Sequence, residues 1–105
     1  MMRFAKKVVV ITGAGQGLGA EYAREFAKEG AQTILLGRTA AKVEAVAQEI
    51  IRDGVLAVAF GCDVSNPEAV STVFQKVLQQ FGQVDVLVNN AAYHQSISVV
   101  ETSLE

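Results

Sequence analysis

Apolar residues follow two alternating patterns along this chain. Four short segments rich in apolar residues predict strands, and they occupy residues 8–11, 33–36, 55–60 and 85–89. The first and the fourth are typical of strands buried on both faces. Between these segments, apolar residues recur at intervals of three and four, which is the spacing of amphipathic helices. The order of the segments predicts a βαβαβαβ chain.

Each predicted helix has one apolar stripe. The stripes comprise Leu18, Tyr22, Ala23, Phe26 and Ala27, then Val43, Val46, Ala47, Ile50 and Ile51, and finally Val70, Val73, Phe74, Val77, Leu78 and Phe81. The residues expected to end the helices are Gly30, Gly54 and Gly82. Thr39 is a suitable N-cap for the second helix, and Ser65 with Glu68 predicts a capping box for the third, with Pro67 in its first turn.

This alternation of strands and helices predicts a parallel sheet, because strands joined through helices form right-handed crossovers. In the doubly wound arrangement the strand order is 3-2-1-4, with helices on both faces of the sheet in three layers. No repeat, low-complexity tract or linker composition divides the chain, so we expect one α/β domain over residues 1–105. Ligands bind such sheets outside the strand carboxyl ends, where the order switches between the first and fourth strands.

Residues 12–19, TGAGQGLG, connect the first strand to the first helix. Gly13 permits a sharp turn, Gly17 permits a diphosphate to approach the backbone, and Gly19 permits the helix to pack close to the strand. N–H groups at the helix start then face the anion. An ordinary loop is the alternative, but the preceding strand and the following helix favour a phosphate-binding turn. The candidate residues in this turn are Gly13, Gly15, Gln16, Gly17, Leu18 and Gly19.

Arg38 follows the second strand, where a dinucleotide fold holds the adenine ribose. No Asp or Glu that would bind a ribose 2′-hydroxyl occurs between Glu29 and Glu44, whereas a guanidinium suits a 2′-phosphate. NADP is therefore favoured over NAD as the cofactor. The alternative is a solvated arginine in a surface turn.

Other polar residues follow the third and fourth strands. Asp63 and Val64 are suited to contact adenine by hydrogen bonding and packing, although Asp63 is equally suited to begin a turn. The segment Asn89-Asn90-Ala91 provides an amide and a small residue beside the crevice, and Asn-Asn is also a common turn. Tyr93 and His94 come next, but nothing in the sequence places them against a substrate. We expect Ser96, Ser98, Thr102 and Ser103 to be ordinary loop residues.

Composition narrows the range of partners. Half of the 105 residues are hydrophobic, 19% are charged and the net charge is −2, as in an ordinary globular domain. The longest basic run is Lys6-Lys7, so neither nucleic acid nor a membrane surface is an expected partner. No segment has the length of a signal peptide or a membrane span, which favours a cytoplasmic location. Cys62 is the only cysteine, and we expect it to be a small residue at a strand end rather than part of a disulfide or metal site.

The turn TGAGQGLG, followed by Asp63-Val64 and Asn89-Asn90-Ala91, resembles the short-chain dehydrogenase/reductase family in motif order and spacing. The resemblance implies a Rossmann fold and hydride transfer between NAD(P) and an alcohol or carbonyl. It also implies roles for the motif residues. Gly13, Gly17 and Gly19 would line the diphosphate, Asp63 and Val64 would meet the adenine, and Asn89 to Ala91 would lie beside the cofactor ribose. Ala92 departs from the family, which usually has glycine there.

A second departure concerns the chemistry. The family uses a serine and a Tyr-x-x-x-Lys pair, in which the lysine lowers the pKa of the tyrosine. Residues 1–105 contain no such pair, since Phe26 and Ile97 stand four places after the two tyrosines. We therefore expect the cofactor-binding half of an oxidoreductase, a truncated half of a doubly wound domain that lacks turnover alone. The alternative is a truncated or engineered half-fold that acts as a nucleotide-binding or self-associating structural module.

Self-association is predicted from the expected sheet. If the segment 86–88, Val-Leu-Val, is an edge strand, it presents unpaired backbone groups and apolar side chains without the charges or proline that usually protect an edge. We therefore expect a homodimer that forms either through this exposed fourth strand or through exchange of a C-terminal tail over residues 93–105.

Overall fold

The computed structural model describes residues 4–90 in full and residues 96–103 through their backbone. Strands and helices alternate until the last two strands. In chain order the elements are β1 (Val8–Thr12), α1 (Gly17–Lys28), β2 (Gln32–Gly37), α2 (Ala40–Arg52), β3 (Ala57–Gly61), α3 (Pro67–Phe81), β4 (Gln83–Asn89) and β5 (Ser96–Ser103). None of the described helices combines the length and the apolar composition needed to cross a membrane.

The sheet has the order β3-β2-β1-β4-β5. The first four of these strands are parallel, and at the centre of the sheet Val10 of β1 lies beside Ile34 of β2 and Leu87 of β4. The predicted parallel 3-2-1-4 arrangement is therefore confirmed. The order switches between β1 and β4, so the ligand crevice of a doubly wound sheet falls at their carboxyl ends.

Helices cover both faces of the sheet because strand side chains alternate between them. On one face α1 and α2 pack against alternate residues of β1, β2 and β4; on the other, α3 packs against the remaining ones. The fully buried side chains of β1 and β2, which have helices on both sides, are Val8, Val9, Val10, Ile11, Thr33, Ile34, Leu35 and Leu36. Along α3 only Val73 and Val77 are buried among the residues of its predicted stripe, and the others are half-buried.

The prediction that β4 is an exposed edge strand is wrong. β5 pairs with it in antiparallel orientation, from Asn89 opposite Ser96 to Gln83 opposite Ser103. The connection between β4 and β5 is only six residues, too short for a crossover to a parallel strand, so the chain returns antiparallel and satisfies the backbone groups of β4. The prediction that Ser96, Ser98, Thr102 and Ser103 are loop residues is wrong, because all four belong to β5.

Asp85 also departs from the expectation of a strand buried on both faces. Its carboxylate accepts a hydrogen bond of 2.8 Å from the backbone N–H of Val8, at the start of β1, and one of 2.7 Å from the side-chain amide of Gln83. A register irregularity lies between Val84 and Val86, so these two valines face different sides of the sheet. The carboxylate therefore replaces a strand partner for the first N–H of β1.

Several predicted helix details differ in the structure. The N-cap of α3 is Asn66, whose side chain accepts hydrogen bonds from the N–H groups of Glu68 and Ala69, so the capping box from Ser65 is wrong. Thr39 is the N-cap of α2, but its hydroxyl makes no capping hydrogen bond. Leu18 and Ile51, which the sequence placed in apolar stripes, are both exposed.

Candidate functional site

A cleft of about 830 Å³ lies at the carboxyl end of the parallel sheet. It is bounded by the turn after β1, the turn after β2, the segment after β3 and the last residue of β4. The residues that line it are Gly13, Gly15, Gln16, Gly37, Arg38, Thr39, Lys42, Cys62, Asp63, Val64, Ser65 and Asn89. The cleft therefore lies where the strand order predicts a ligand site.

The turn of residues 13–19, called the glycine wall, contributes Gly13, Gly15 and Gln16 to the lining of the cleft and continues into the start of α1. Gly17 begins α1 with a φ of +58°, and a Cβ built there would meet nothing within 4 Å. A Cβ on Gly19 would overlap the backbone carbonyl of Gly13 and would lie 2.7 Å from Nδ2 of Asn90. Glycine is thus required at Gly19 by close packing and at Gly17 by backbone conformation, and Gly17 also leaves open space beside the helix start.

The N-terminus of α1 carries no side-chain cap among the described residues. Gln16 is its N-cap but makes no capping hydrogen bond, and the first turn contains no acidic residue. Uncapped N–H groups at a helix start carry partial positive charge and are suited to bind phosphate oxygens. The glycine wall can therefore hold an anion through its backbone alone.

The strand ends beside this turn are joined through Thr12. Its hydroxyl accepts a hydrogen bond of 2.8 Å from the N–H of Asn90 and lies 3.4 Å from the carbonyl of Val88 and 3.3 Å from Oδ1 of Asn89. Thr12 is the last residue of β1, and Asn89 is the last residue of β4. This contact places the amide of Asn89 at the cleft next to the glycine wall.

The opposite wall, the charged wall, is formed by residues 38–42, which lead into α2, and by residues 62–65, which follow β3. Nη2 of Arg38 lies 3.5 Å from Oδ2 of Asp63, and these side chains are 79% and 44% exposed. Because both groups are in contact with solvent, their attraction is weak. Arg38 and Asp63 can therefore separate when a ligand enters between the two walls.

Asp63 also begins a turn, as one of its two interpretations proposed. Its Oδ1 accepts a hydrogen bond of 2.9 Å from the N–H of Ser65 and one of 2.7 Å from the Ser65 hydroxyl. These bonds hold the pKa of Asp63 below its usual range, and the nearby Arg38 acts in the same direction. The carboxylate is therefore charged at neutral pH.

Lys42 is a cleft residue that the sequence reasoning missed. Its Nζ donates a hydrogen bond of 2.7 Å to Oε1 of Gln16, which joins the charged wall to the glycine wall. A side chain on Gly15 would stand 2.9 Å from Cβ of Lys42, so the two walls are in close contact at this point. One feature of the sequence could have indicated Lys42 as a cleft residue, namely its position in the first turn of the helix predicted after Arg38.

The remaining predicted residues divide into three groups. Gly17, Leu18, Gly19 and Asn90 belong to the turn or to the strand end but do not line the cleft, and Leu18 is 45% exposed beside it. Ala91, Tyr93 and His94 lie outside the described residues. Val64 lines the cleft beside Asp63, as predicted from position alone.

Cys62 lies at the floor of the cleft and is buried. Cys62 directly follows β3. Its backbone N–H donates a hydrogen bond of 2.8 Å to the carbonyl of Gly37, the last residue of β2. Burial raises the pKa of the thiol, and the charge of Asp63 raises it further. A thiol with a raised pKa is a weak nucleophile, so Cys62 is a small core residue here, as expected.

Comparisons with known proteins agree on one family. A family model described as short chain dehydrogenase matches residues 7–105. Meso-2,3-butanediol dehydrogenase of Serratia marcescens is 43% identical over 104 residues, which cover 99% of this chain and 41% of that protein.

Two solved structures extend the comparison to the fold. An NAD+-bound xylitol dehydrogenase is 36% identical with a TM-score of 0.83, and the match covers 87% of this chain and 35% of that one. A metagenomic short-chain oxidoreductase in complex with NADP is 39% identical with a TM-score of 0.82, and the match covers 85% and 40%. The chain thus spans less than half the length of each of these relatives.

Proposed function

The chain belongs to the short-chain dehydrogenase family, and from that membership we propose that residues 1–105 bind NADP(H) as the cofactor-binding part of an oxidoreductase. The reaction proposed for the whole enzyme is hydride transfer between the cofactor and an alcohol or carbonyl. The single observation that carries the proposal is the cleft lined both by Arg38 and by the glycine turn, whose residue Gln16 is the N-cap of α1 and makes no capping hydrogen bond.

The residues of the cleft fit a dinucleotide. We propose that Gly13, Gly17 and Gly19 line its diphosphate, since a backbone free of side chains allows the phosphate oxygens to reach the N–H groups. The remaining proposed contacts are Gly15, Gln16 and Leu18 beside the turn, Asp63 and Val64 at the adenine, and Asn89, Asn90 and Ala91 beside the ribose. The chemistry that the bound cofactor supplies is the acceptance or donation of a hydride at its nicotinamide ring.

Preference for NADP over NAD is a proposal that rests on Arg38. A planar guanidinium at the end of β2 suits a 2′-phosphate, and no carboxylate of the segment 30–43 is present to bind a 2′-hydroxyl. Asp63 is the competing partner of Arg38, at 3.5 Å. An exposed ion pair contributes about 1 kcal/mol, so the ion pair of Arg38 alone corresponds to a preference of about fivefold.

Titration calorimetry of the chain with both nucleotides tests this proposal. We expect dissociation constants of roughly 0.1 to 1 mM, which correspond to about 4 to 5 kcal/mol. Arg38→Asp should abolish or reverse the preference for NADP. Lys76→Asp is the matched control, because it makes the same charge change on the exposed side of α3, outside the residues that line the cleft. Equal affinities for the two nucleotides in the unaltered chain would contradict the preference.

The chain alone should show no hydride transfer, because residues 1–105 lack the Tyr-x-x-x-Lys pair. Absorbance at the nicotinamide band, followed with a panel of alcohols and carbonyls, measures this. Turnover that survives repurification and is lost in Gly17→Trp would contradict the expectation. Binding without turnover also fits the second candidate function, a nucleotide-binding module. The sequence of the whole protein would distinguish such a module from a part of an enzyme.

A homodimer and a cytoplasmic location stay predictions. Since β5 covers the edge of β4, the pairing of two β4 strands is not proposed again. Sedimentation at micromolar concentration measures the oligomeric state directly, and a monomer of 11.2 kDa would contradict the dimer.

A further inference from the structure

Lys42 and Arg38 are the two cationic residues that line the cleft within the described part of the chain, and their surroundings differ. Arg38 lies 3.5 Å from the carboxylate of Asp63, which cancels part of its charge. Lys42 is held by a neutral amide oxygen, that of Gln16, and no carboxylate of the described residues forms an ion pair with it. An amide orients an ammonium without neutralising it, so Lys42 keeps its full attraction for an anion.

The position of Lys42 depends on both walls of the cleft. Its backbone belongs to the first turn of α2, and its stem passes Gly15, where the absence of a side chain leaves room for it. The 2.7 Å hydrogen bond to Gln16 then orients the ammonium of this exposed side chain toward the glycine wall. A lysine that is already oriented loses less conformational entropy when it binds a ligand.

We propose that Lys42, positioned by Gln16, is a second cation for the 2′-phosphate of NADP, and that it shares the discrimination against NAD with Arg38. The proposal rests on the proposed function of the cleft. It names two residues that determine the preference of the cleft for NADP over NAD. Lys42 contacts the 2′-phosphate, whereas Gln16 affects the choice between NADP and NAD through Lys42. The cofactor diphosphate is assigned to the start of α1, which leaves Lys42, on the wall of Arg38 and Thr39, for the phosphate on the ribose.

The experiment compares two nucleotides that differ only in the 2′-phosphate, 2′,5′-ADP and 5′-AMP. Each is titrated by NMR into the isotope-labelled chain and into three variants, Lys42→Met, Gln16→Met and the double variant. Methionine matches glutamine in length and is one atom shorter than lysine, and it removes the amide or the charge. Lys76→Met is the matched control for the loss of one positive charge, because Lys76 is exposed on α3.

The measured quantity is the ratio of the two dissociation constants. Lys42→Met should lower the preference for 2′,5′-ADP about threefold to fivefold, as expected for one exposed ion pair. Gln16→Met should lower it about twofold, the effect of one hydrogen bond, and should have no further effect in the Lys42→Met background. Lys76→Met should leave the ratio unchanged. Urea unfolding verifies that each variant is folded.

The outcomes separate this inference from the function on which it rests. If the unaltered chain binds neither nucleotide, the proposed function fails. If it prefers 2′,5′-ADP and Lys42→Met keeps that preference, the function stands and the role of Lys42 is overturned. If Lys42→Met weakens both nucleotides equally, Lys42 serves the shared 5′-phosphate and the proposal is wrong. An additive effect of Gln16→Met in the double variant would overturn its role as a positioning residue.

Discussion

The two walls of the cleft are built on different physical principles. The glycine wall consists of backbone held by close packing, and a Cβ on Gly19 would overlap the carbonyl of Gly13. The charged wall consists of the solvent-accessible side chains of Arg38, Lys42 and Asp63, held by one or two hydrogen bonds or by a 3.5 Å ion pair. The first wall is rigid because it is part of the packed fold, whereas the second is adjustable. We therefore expect changes in the glycine wall to affect stability and the binding of every dinucleotide, and changes in the charged wall to affect the choice between dinucleotides.

The largest effect is expected from Gly19→Ala. Alanine favours a helix over glycine by up to about 1 kcal/mol, so propensity alone would stabilise α1. The overlap with Gly13 should outweigh this gain and lower the free energy of unfolding by about 3 kcal/mol or more. Urea unfolding, followed by circular dichroism, measures the change.

Gly17→Ala is the matched control in the same turn. A Cβ there meets no atom within 4 Å, so the remaining cost is that of a φ of +58°, about 1 to 2 kcal/mol. If the two variants lost equal amounts of unfolding free energy, or if Gly19→Ala gained unfolding free energy, close packing would not hold the glycine wall in place.

The next effect concerns binding by the Gly17→Ala variant. Its added Cβ projects into the open space proposed for the diphosphate, where a misfit of about 1.4 kcal/mol or more corresponds to a tenfold or greater loss of affinity. NADP and NAD should lose affinity by the same factor, since both contain the diphosphate. NMR titration measures both constants. A change in their ratio would mean that the glycine wall also discriminates between the cofactors.

The smallest effect is expected at Asp63, in the charged wall. Hydrogen bonds from Ser65 lower its pKa in the folded chain, so the carboxylate stabilises the fold above its ordinary pKa. That contribution is lost as the pH falls through the lowered value, because the proton then binds in the folded state as well. Asp63→Asn should therefore unfold at a lower urea concentration than the unaltered chain at pH 7. The difference should disappear at strongly acidic pH.

Ser65→Ala sharpens the test at Asp63. It removes the hydroxyl that donates the 2.7 Å hydrogen bond but leaves the carboxylate and its ion pair with Arg38. The pKa of Asp63, measured by NMR, should rise toward its ordinary value in this variant. An unchanged pKa would assign the shift to the backbone N–H of Ser65, which the variant keeps, and to Arg38.

Sequence alone determined the elements and most of the cleft. The positions of the four parallel strands and the three helices along the chain follow from periodicity, which is a local property of neighbouring residues, and the 3-2-1-4 order was that of the doubly wound arrangement. The glycine turn, Arg38 and Asp63 were identified because each directly follows a predicted strand, and in a parallel sheet such residues collect at one edge. These predictions required no knowledge of how distant side chains meet.

Tertiary structure decided which distant groups come into contact. Gln16 and Lys42 are 26 positions apart, and Thr12 meets Asn90 across 78 positions, so both contacts depend on how helices and strands are placed against one another. The antiparallel return of β5 depended on the short connection after β4, which the apolar pattern does not encode. Periodicity and backbone conformation act over a few residues and can therefore be predicted from the sequence. Contacts between side chains of separate elements are set by packing distances of a few ångströms, which only the assembled fold determines.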